Sequence, residues 1–228
     1  MESMLKTKKQ GLLIVLSGPS GCGKNTIINK VMENNKNIWL SISCTSRLPR
    51  GEEKNGVNYY FLSREEFESD IENGEFLEYA EYSNNYYGTP KKYIKEHLDK
   101  GEDVILEIEI QGALKVKEKI KEALFIFILP PNMKELKRRL EARNTEDQEK
   151  IDMRFKRAYE ELNEVSKYNY VVVNDEVDIA ARKVQAILEA ERCRVDRIEE
   201  VYLNTEEEKI HETLFSGRKE FDNSELNL

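Results

Sequence analysis

The sequence lacks the features that mark secreted, zinc-binding and membrane-spanning proteins. Its three cysteines are widely spread and none has CxxC spacing, which argues against a disulfide framework or a zinc site and favours a reducing compartment. The longest purely apolar run, residues 123–129, is far shorter than the roughly 18 residues that a membrane span needs. The run after the N-terminus, residues 12–16, is too short for a secretory signal. We therefore expect a cytoplasmic protein without a membrane partner.

An excess of positive charge is also absent. The 228 residues carry 36 Lys and Arg against 44 Asp and Glu, a formal net charge of −8. Residues 196–228 hold ten acids and four bases, so most of this charge lies in that stretch. Bulk attraction to nucleic acid is therefore not expected. With 39% hydrophobic and 35% charged residues, the composition is that of an ordinary globular protein, and the length fits one core with an inserted lobe.

Apolar runs and helical stripes alternate along most of the chain. Residues 12–16, 104–108, 123–129 and 170–173 have the continuous apolar composition of strands buried on both faces. Amphipathic helical patterns separate these runs. The alternation predicts a parallel α/β core with right-handed crossovers.

Two segments depart from this alternation. Residues 41–93 contain short aromatic stretches and turn residues, which predict an inserted lobe with a small mixed or antiparallel sheet. Within it, Ser63 and Glu66 have the spacing of a capping box, which predicts the start of a short helix. From about residue 199 the chain is acidic and poorly periodic, and we expect a frayed or partly helical tail there.

A glycine-rich segment lies directly between the first predicted strand and the first predicted helix. Its sequence GPSGCGK, from Gly18 to Lys24, matches the phosphate-binding loop in the strand–loop–helix context that gives the match its meaning. In such a loop, backbone N–H groups converge on phosphate oxygens at a helix N-terminus, and the lysine bridges the β and γ phosphates. The predicted ATP-binding residues here are Gly18, Pro19, Ser20, Gly21, Cys22, Gly23, Lys24, Asn25 and Thr26.

The loop departs from its usual pattern after the lysine, where Asn25 replaces the Ser or Thr that normally serves Mg²⁺. Thr26 follows, but its side chain points about 100° further round the helix and is a weak substitute. We expect Mg²⁺ to be held mainly by nucleotide phosphates and water, with Thr26 and Glu107 as candidate protein ligands. Cys22 is interpreted as a small loop residue, with a thiol activated by the positive loop as the alternative.

Together with this loop, several motifs resemble those of guanylate kinases, the enzymes that transfer phosphate from ATP to GMP. The matching stretches run from Gly11 to about Glu191 and include LSGPSGCGK, FLEYAEYSNNYYGTP, ILEIEIQGA, RRLEARNTE and YVVVND. The resemblance implies an α/β fold, with a three-layer P-loop NTPase core around a parallel sheet, an inserted small mixed-sheet GMP-binding lobe and a helical lid. The implied boundaries are a guanylate kinase-like domain over residues 1–199 (core about 11–40 and 94–195, lobe about 41–93, lid about 137–157) and an acidic tail over 200–228.

The activity implied by the resemblance is ATP + GMP giving ADP + GDP, with dGMP also accepted, in purine nucleotide metabolism and GMP recycling. The implied partners are these nucleotides, no nucleic acid is expected, and homo-oligomer formation is left open. One alternative is a guanylate-kinase-like domain that binds proteins and has lost catalysis, against which Lys24 and the lid arginines argue. Another is a phosphotransferase acting on a phosphorylated sugar, against which the residues facing guanine argue.

A second cluster has the residue types that a nucleoside monophosphate requires. Guanidinium groups suit bidentate phosphate binding, and a carboxylate suits guanine, whose N1–H and N2–H₂ groups are donors. The resemblance assigns the GMP phosphate to Arg47, Arg50, Tyr59 and Tyr87, the guanine edge to Ser43, Glu78 and Thr89, and the orienting of a clamp arginine to Glu53. Singly, each of these could be a surface or packing residue, and residues 83–90 could be only a tight turn. The ordered set favours the GMP site.

Two acids stand at the end of the second predicted strand. Glu107 and Glu109 stand at i and i+2, which predicts that they share one face of the strand. The resemblance places Glu109 nearer GMP and Glu107 nearer the metal, and a solvated pair of carboxylates is the alternative.

Arginines cluster between residues 138 and 154. Because the transition state of phosphate transfer spreads negative charge over three oxygens, mobile guanidinium groups would stabilise it. By resemblance, Arg139, Arg143 and Arg154 form the lid over the phosphates, with Arg143 also against adenine and Asn174 beside it. An exposed basic helix face and a turn-forming Asn are the alternatives. The predicted catalytic residues are then Lys24, Arg47, Arg139, Arg143 and Arg154.

Overall fold

The computed structural model describes residues 5–7, 10–142 and 148–201. They form two compact units, a large one within residues 9–188 and a small one from the described residues of 1–8 and 189–228. The strands are β1 (Leu5–Thr7), β2 (Leu13–Ser17), β3 (Ile38–Leu40), β4 (Cys44–Thr45), β5 (Tyr60–Phe61), β6 (Phe76–Tyr82), β7 (Asn85–Pro90), β8 (Asp103–Glu107), β9 (Leu124–Leu129), β10 (Tyr170–Val173) and β11 (Ile198–Val201). The helices are α1 (Lys24–Asn34), α2 (Arg64–Glu72), α3 (Lys91–Asp99), α4 (Ile110–Lys119), α5 (Met133–Glu141), α6 (Gln148–Glu161) and α7 (Val177–Arg192), with two 3₁₀ helices at Leu162–Lys167 and Val195–Arg197.

The core is a sheet of five parallel strands in the order β10-β9-β2-β8-β3. Side chains alternate along the central strand β2, so that Ile14 and Leu16 pack with α1 and α7, whereas Leu13 and Val15 pack with α3 and α4. Full burial of each such side chain stabilises the fold by about 1.5–3 kcal/mol. The four predicted core strands lie within a residue or so of their predicted bounds, and the three-layer α/β prediction is confirmed.

The inserted lobe contains a mixed sheet in the order β5-β4-β7-β6, in which β4 and β5 are parallel and the other pairs are antiparallel. Phe67 of α2 is completely buried against it, with its ring 4.3 Å from that of Phe76 and 5.2 Å from that of Tyr86. Ser83 and Asn84 have positive φ angles of 48° and 62° and make the turn before β7. The tight-turn interpretation therefore applies only to these two residues, because the rest of that segment is strand.

The capping box at the start of α2 is confirmed. The Glu66 amide donates to Ser63 Oγ at 3.1 Å, and the Ser63 amide donates to Glu66 Oε2 at 2.7 Å. We expect Ser63→Ala to lower the free energy of unfolding by about 1 kcal/mol, because an orphan amide of the first turn loses its acceptor. Urea denaturation measures this loss. Ser69→Ala, at an exposed position within the same helix, is the control and should cost much less.

The predicted lid corresponds to α5 and α6. The two helices pack through Leu136, Leu140, Ile151 and Ala158. The predicted lid residue Arg143 lies outside the described residues.

The small unit contains an antiparallel ribbon of β1 and β11, in which Leu5 pairs with Val201. Neither strand was predicted from the sequence, and β11 crosses the predicted start of the acidic tail. The rest of that tail, from residue 202, lies outside the described residues. Among the helices of the described residues, none is long and apolar enough to cross a membrane.

Candidate active site

The phosphate-binding loop connects β2 to α1 as predicted. Gly18, Gly21 and Gly23 have φ angles of 154°, 89° and 91°, conformations that side chains with a Cβ rarely adopt. A Cβ at Gly18 would lie 2.3 Å from the carbonyl oxygen of Ile128, and one at Gly23 would lie 2.3 Å from Asn174 Nδ2. The loop therefore needs glycine both for its backbone shape and for its close approach to β9 and to the end of β10.

Asn174 braces this loop from the end of β10. The side chain is almost completely buried, and its Nδ2 donates to the carbonyl oxygen of Cys22 at 2.7 Å. Cys22 is itself fully buried, and burial raises the pKa of its thiol. A buried thiol with a raised pKa is unreactive, so Cys22 is a loop-filling residue and not an activated thiol.

Lys24 begins α1 with its side chain in the loop. Its Nζ donates to the carbonyl oxygen of Gly18 at 2.8 Å and lies 3.6 Å from Glu107 Oε1, at the end of β8. Asn25 and Thr26 follow with exposed side chains on the first turn. A lysine and a carboxylate thus meet where the loop would hold phosphates.

The donor set around the loop fits a metal that is bound chiefly by nucleotide. Within the described ranges, no three His, Cys, Asp or Glu side chains converge as a metal site. Glu107 is the nearby carboxylate, with about a third of its side chain exposed. Mg²⁺ commonly keeps several waters and takes only one or two carboxylates besides phosphate oxygens.

The lobe presents an arginine that is fixed by a carboxylate. Arg47 is 9% exposed, and its two terminal nitrogens donate to Glu53 Oε2 at 2.7 Å and to Glu53 Oε1 at 2.8 Å. The Arg50 amide also donates to Glu53 Oε2, at 2.8 Å. These bonds, that of Arg47 above all, lower the pKa of Glu53 to about 2. The carboxylate is therefore ionised throughout the neutral range and holds the Arg47 fork in one orientation.

Aromatic rings surround the same arginine. The Arg47 guanidinium lies 4.9 Å from the ring centre of Tyr59 and 5.7 Å from that of Phe61. The rings of Tyr59 and Tyr87 are 6.0 Å apart, and Tyr87 also interacts with the Arg47 side chain. Of the predicted phosphate-binding residues, the structure brings together Arg47, Tyr59 and Tyr87 in one clamp, with Arg50 joined to it through Glu53.

A buried carboxylate lies on the neighbouring strand. Glu78 of β6 is 9% exposed and opposite Thr89 of β7, whose hydroxyl donates to Glu78 Oε1 at 2.6 Å. Burial raises the pKa of Glu78, whereas the Thr89 hydroxyl acts in the opposite direction. Ser43 accepts the Tyr60 amide with its carbonyl at 2.9 Å, which fixes the backbone beside β4. The predicted guanine-edge residues thus lie on adjoining parts of one sheet.

Glu107 and Glu109 do not share a strand face, so that prediction was wrong. β8 ends at Glu107, and Glu109 is the residue before α4, with its side chain reaching α6. Arg157 donates to Glu109 Oε2 at 2.5 Å and to Glu161 Oε1 at 3.0 Å. Arg157 was not among the residues predicted from the sequence. Its i,i+4 spacing from Glu161 was the available signal, but that spacing is common on exposed helices.

The two described lid arginines of the prediction both face the loop. Arg139 donates to the carbonyl oxygens of Cys22 at 3.4 Å and Asn174 at 3.2 Å, and to Glu135 Oε1 at 2.8 Å. Arg154 donates to Ser20 Oγ at 2.8 Å. These contacts favour the lid interpretation over a merely solvated basic helix face.

Comparison with known proteins agrees with this geometry. The family model described as guanylate kinase matches residues 10–191. The guanylate kinase of Caldanaerobacter subterraneus subsp. tengcongensis is 57% identical over 206 residues, covering 90% of this chain and 100% of the relative. That of Clostridium tetani is 58% identical over 207 residues, covering 91% and 99%.

A solved structure also matches. The crystal structure of guanylate kinase from Anaplasma phagocytophilum aligns with a TM-score of 0.69 at 38% identity, covering 86% of this chain and 93% of that one. Fold, loop, lobe and extensive identity therefore agree, and the chain belongs to the guanylate kinase family.

Proposed function

We propose how the described residues divide the work of ATP-dependent GMP phosphorylation, the enzymatic activity that family membership gives this chain. The observation that carries the assignment is the buried Glu78 carboxylate, which Thr89 holds at 2.6 Å. A carboxylate in this position matches a base that presents two adjacent donors. Guanine has such a pair in N1–H and N2–H₂, whereas adenine presents no donor pair there.

The acceptor phosphate is assigned to the clamp formed by Arg47, Arg50, Tyr59 and Tyr87. Glu53 neutralises much of the Arg47 charge, but its two bonds leave the guanidinium fork at a fixed angle. Fixed donors cost less to order around a phosphate than free side chains do. Ser43 and Glu109 complete the proposed GMP site. Because these residues address base and phosphate, dGMP is proposed as a second acceptor.

The donor nucleotide is assigned to the phosphate-binding loop, with Lys24 leaving the Gly18 carbonyl to bind the β and γ phosphates. An acceptor phosphate oxygen attacks the γ phosphorus while the bond to the ADP oxygen breaks. The attacking oxygen is already ionised, so no strong general base is required. Lys24, Arg47, Arg139 and Arg154 stabilise the charge on the transferring group, and Arg143 is proposed to join them.

Mg²⁺ is the proposed metal, held by nucleotide phosphates and water with Glu107 and Thr26 as candidate ligands. When bound, it supplies a positive charge that polarises the phosphate oxygens. Asn174 is proposed to lie beside adenine and to brace the donor loop through its bond to the Cys22 carbonyl. We also propose a cytoplasmic location and a place in purine nucleotide metabolism and GMP recycling.

A panel of acceptors tests the proposal. ADP production from ATP and Mg²⁺ is measured with GMP, dGMP, AMP, UMP or no acceptor. We expect strong turnover with GMP and dGMP and little with AMP, UMP or water. Turnover with AMP equal to that with GMP would contradict the role given to Glu78. A GMP complex without turnover would instead point to a binding module.

The arginine clamp gives a separate prediction. Glu53→Gln is expected to raise KM for GMP about tenfold or more, because a charge-assisted pair that orients Arg47 is weakened. KM for ATP should stay within about twofold. Glu68→Gln is the matched control, since it removes a lobe carboxylate that pairs with exposed Arg64 at 3.0 Å. Equal effects of the two variants on GMP would contradict the clamp.

A further inference from the structure

Helix α4 lies against the strand that carries Glu78. Lys119 Nζ donates to the carbonyl oxygen of Leu77 at 2.5 Å, and Lys115 Nζ donates to that of Tyr79 at 3.0 Å. These two carbonyls flank Glu78 in the chain. The helix therefore fixes the backbone of β6 on both sides of the buried carboxylate.

The same helix also limits where the carboxylate group can lie. A Cβ built on Gly112 would be 2.9 Å from Glu78 Oε2, closer than real Cβ contacts come, and 3.2 Å from Glu78 Cδ, which is tighter than most such contacts. The other oxygen, Oε1, accepts the Thr89 hydroxyl at 2.6 Å. Glu78 is thus held between a hydroxyl of the lobe on one side and the backbone of α4 on the other.

Gly112, Lys115 and Lys119 stand at i, i+3 and i+7, the spacing of one helix face. The strand that they contact is irregular, because the pairing of β6 with β7 shifts register between Phe76 and Glu78. Leu77, at this bulge, is buried in the same apolar cluster as Ala113 and Val116 of α4. Bulges commonly re-aim side chains beside functional sites.

We propose that the face of α4 formed by Gly112, Lys115 and Lys119 positions the Glu78 carboxylate and thereby sets the preference of the enzyme for guanine. This inference rests on the assignment of Glu78 to the guanine edge. Gly112 provides the space in which the carboxylate lies, and the two lysines hold the bulged strand that carries it. These three are positioning residues, since none is placed in contact with a substrate.

The effect should be confined to the base of the acceptor. The phosphate clamp around Arg47 is built from β4, β5 and β7, and the donor loop from β2 and α1, so neither includes this face of α4. We expect Gly112→Ala to raise KM for GMP about tenfold or more, because the added methyl group displaces the carboxylate from its donors. KM for ATP should stay within about twofold. The preference for GMP over IMP, which lacks the N2 amino group, should fall by a similar factor.

Single lysine variants test the other half of the face. Lys115→Met and Lys119→Met keep most of the aliphatic side chain and remove the donor, and each should raise KM for GMP several-fold. Lys117→Met is the matched control. It lies on the same helix but donates to the carbonyl oxygen of Lys167, away from Glu78, and should leave KM for GMP unchanged.

A double-mutant cycle isolates the contact between Gly112 and Glu78. Aspartate at position 78 withdraws the carboxylate by one methylene, so Gly112→Ala should cost at least about threefold less in the Glu78→Asp background than in the wild type. Additive effects would overturn the contact. Melting temperatures measured alongside identify any variant that fails to fold, in which case the lysine variants decide the question.

The outcomes separate this inference from the function that it rests on. If Glu78→Gln raises KM for GMP while Gly112→Ala, Lys115→Met and Lys119→Met do not, the positioning role is overturned and the role of Glu78 stands. If Glu78→Gln also leaves GMP binding unchanged, the guanine-edge assignment itself is wrong. A rise in KM for ATP equal to that for GMP would indicate general loss of structure and would likewise overturn the proposal.

Discussion

Replacing Lys24 by methionine is expected to lower kcat by about 10²- to 10³-fold. This is the usual effect of removing one well-placed hydrogen-bond donor that stabilises charge in the transition state. The Nζ group already lies within the loop, 2.8 Å from the Gly18 carbonyl, and only 15% of the side chain is exposed. Methionine has a similar length and keeps the packing, but it supplies no charge to the β and γ phosphates. Initial rates at saturating ATP and GMP measure the loss.

The control for this experiment is Lys30→Met. Lys30 lies on the same helix but pairs with Glu33 at 3.2 Å and Asp178 at 3.3 Å, on its exposed surface. Its replacement should leave kcat within about twofold, because Lys30 lies outside the phosphate-binding loop and surface ion pairs contribute little to stability. A loss of less than about tenfold in Lys24→Met would show that the loop lysine is not central to phosphate transfer.

The second large effect is expected at Glu78, where activity and stability should respond differently. Glu78→Gln removes one acceptor and the negative charge, so kcat/KM for GMP is expected to fall about 10²-fold, with little change for ATP. An amide oxygen can still accept the Thr89 hydroxyl. The discrimination between GMP and IMP should shrink in the same variant. Glu81→Gln, an exposed position on β6, is the control.

The raised pKa of Glu78 gives the sign of the stability effect. A carboxyl group whose pKa is higher in the folded state favours folding most when it is protonated, and this contribution is lost as the pH rises through the folded-state pKa. Above this raised pKa the free enzyme therefore contains a charge whose burial is unfavourable. The glutamine variant should be as stable as the wild type or more so, as scanning calorimetry without nucleotide would show. A clear destabilisation would contradict this account.

The same group predicts a pH dependence. As the pH falls through the raised pKa of Glu78, the carboxylate becomes protonated and kcat/KM for GMP should decrease. The phosphate of GMP also titrates, with a pKa near 6. The two contributions separate by comparison with Glu78→Gln, which retains only the phosphate titration. If kcat/KM for GMP fell in the same way at acid pH in the wild type and in Glu78→Gln, Glu78 would be excluded as the source of the pH dependence.

The core of the fold was predictable because strong, local patterns specify it. Continuous apolar runs marked β2, β8, β9 and β10, and the glycine-rich loop had its expected strand and helix on either side. The capping box required only Ser63 and Glu66. Strands of two or three residues, such as β1, β4 and β5, have no room for a periodic pattern and depend on distant partners.

The site was predictable where a family motif named the residue, and less so where tertiary contacts decide its role. Glu53 was expected to orient an arginine, and the structure identifies it as Arg47. That Asn174 lies beside adenine stays a prediction, and the bond from its amide nitrogen to the loop carbonyl of Cys22 had no signal in the sequence. The positioning face of α4 was not predicted, because its partner strand lies more than thirty residues away in the chain.

The burial of Leu77 against α4 has a mechanical consequence for the lobe. If the lobe tilts relative to the parallel sheet, β6 would pivot near Leu77, because the side chain of Leu77 is packed in the apolar cluster of the core. Glu78, the next residue, would then travel only a short arc. The phosphate clamp lies further along β6 from Leu77, because Thr45 and Tyr87 pair at the level of Ala80. Such a tilt would therefore displace the acceptor phosphate more than the base that Glu78 is proposed to bind.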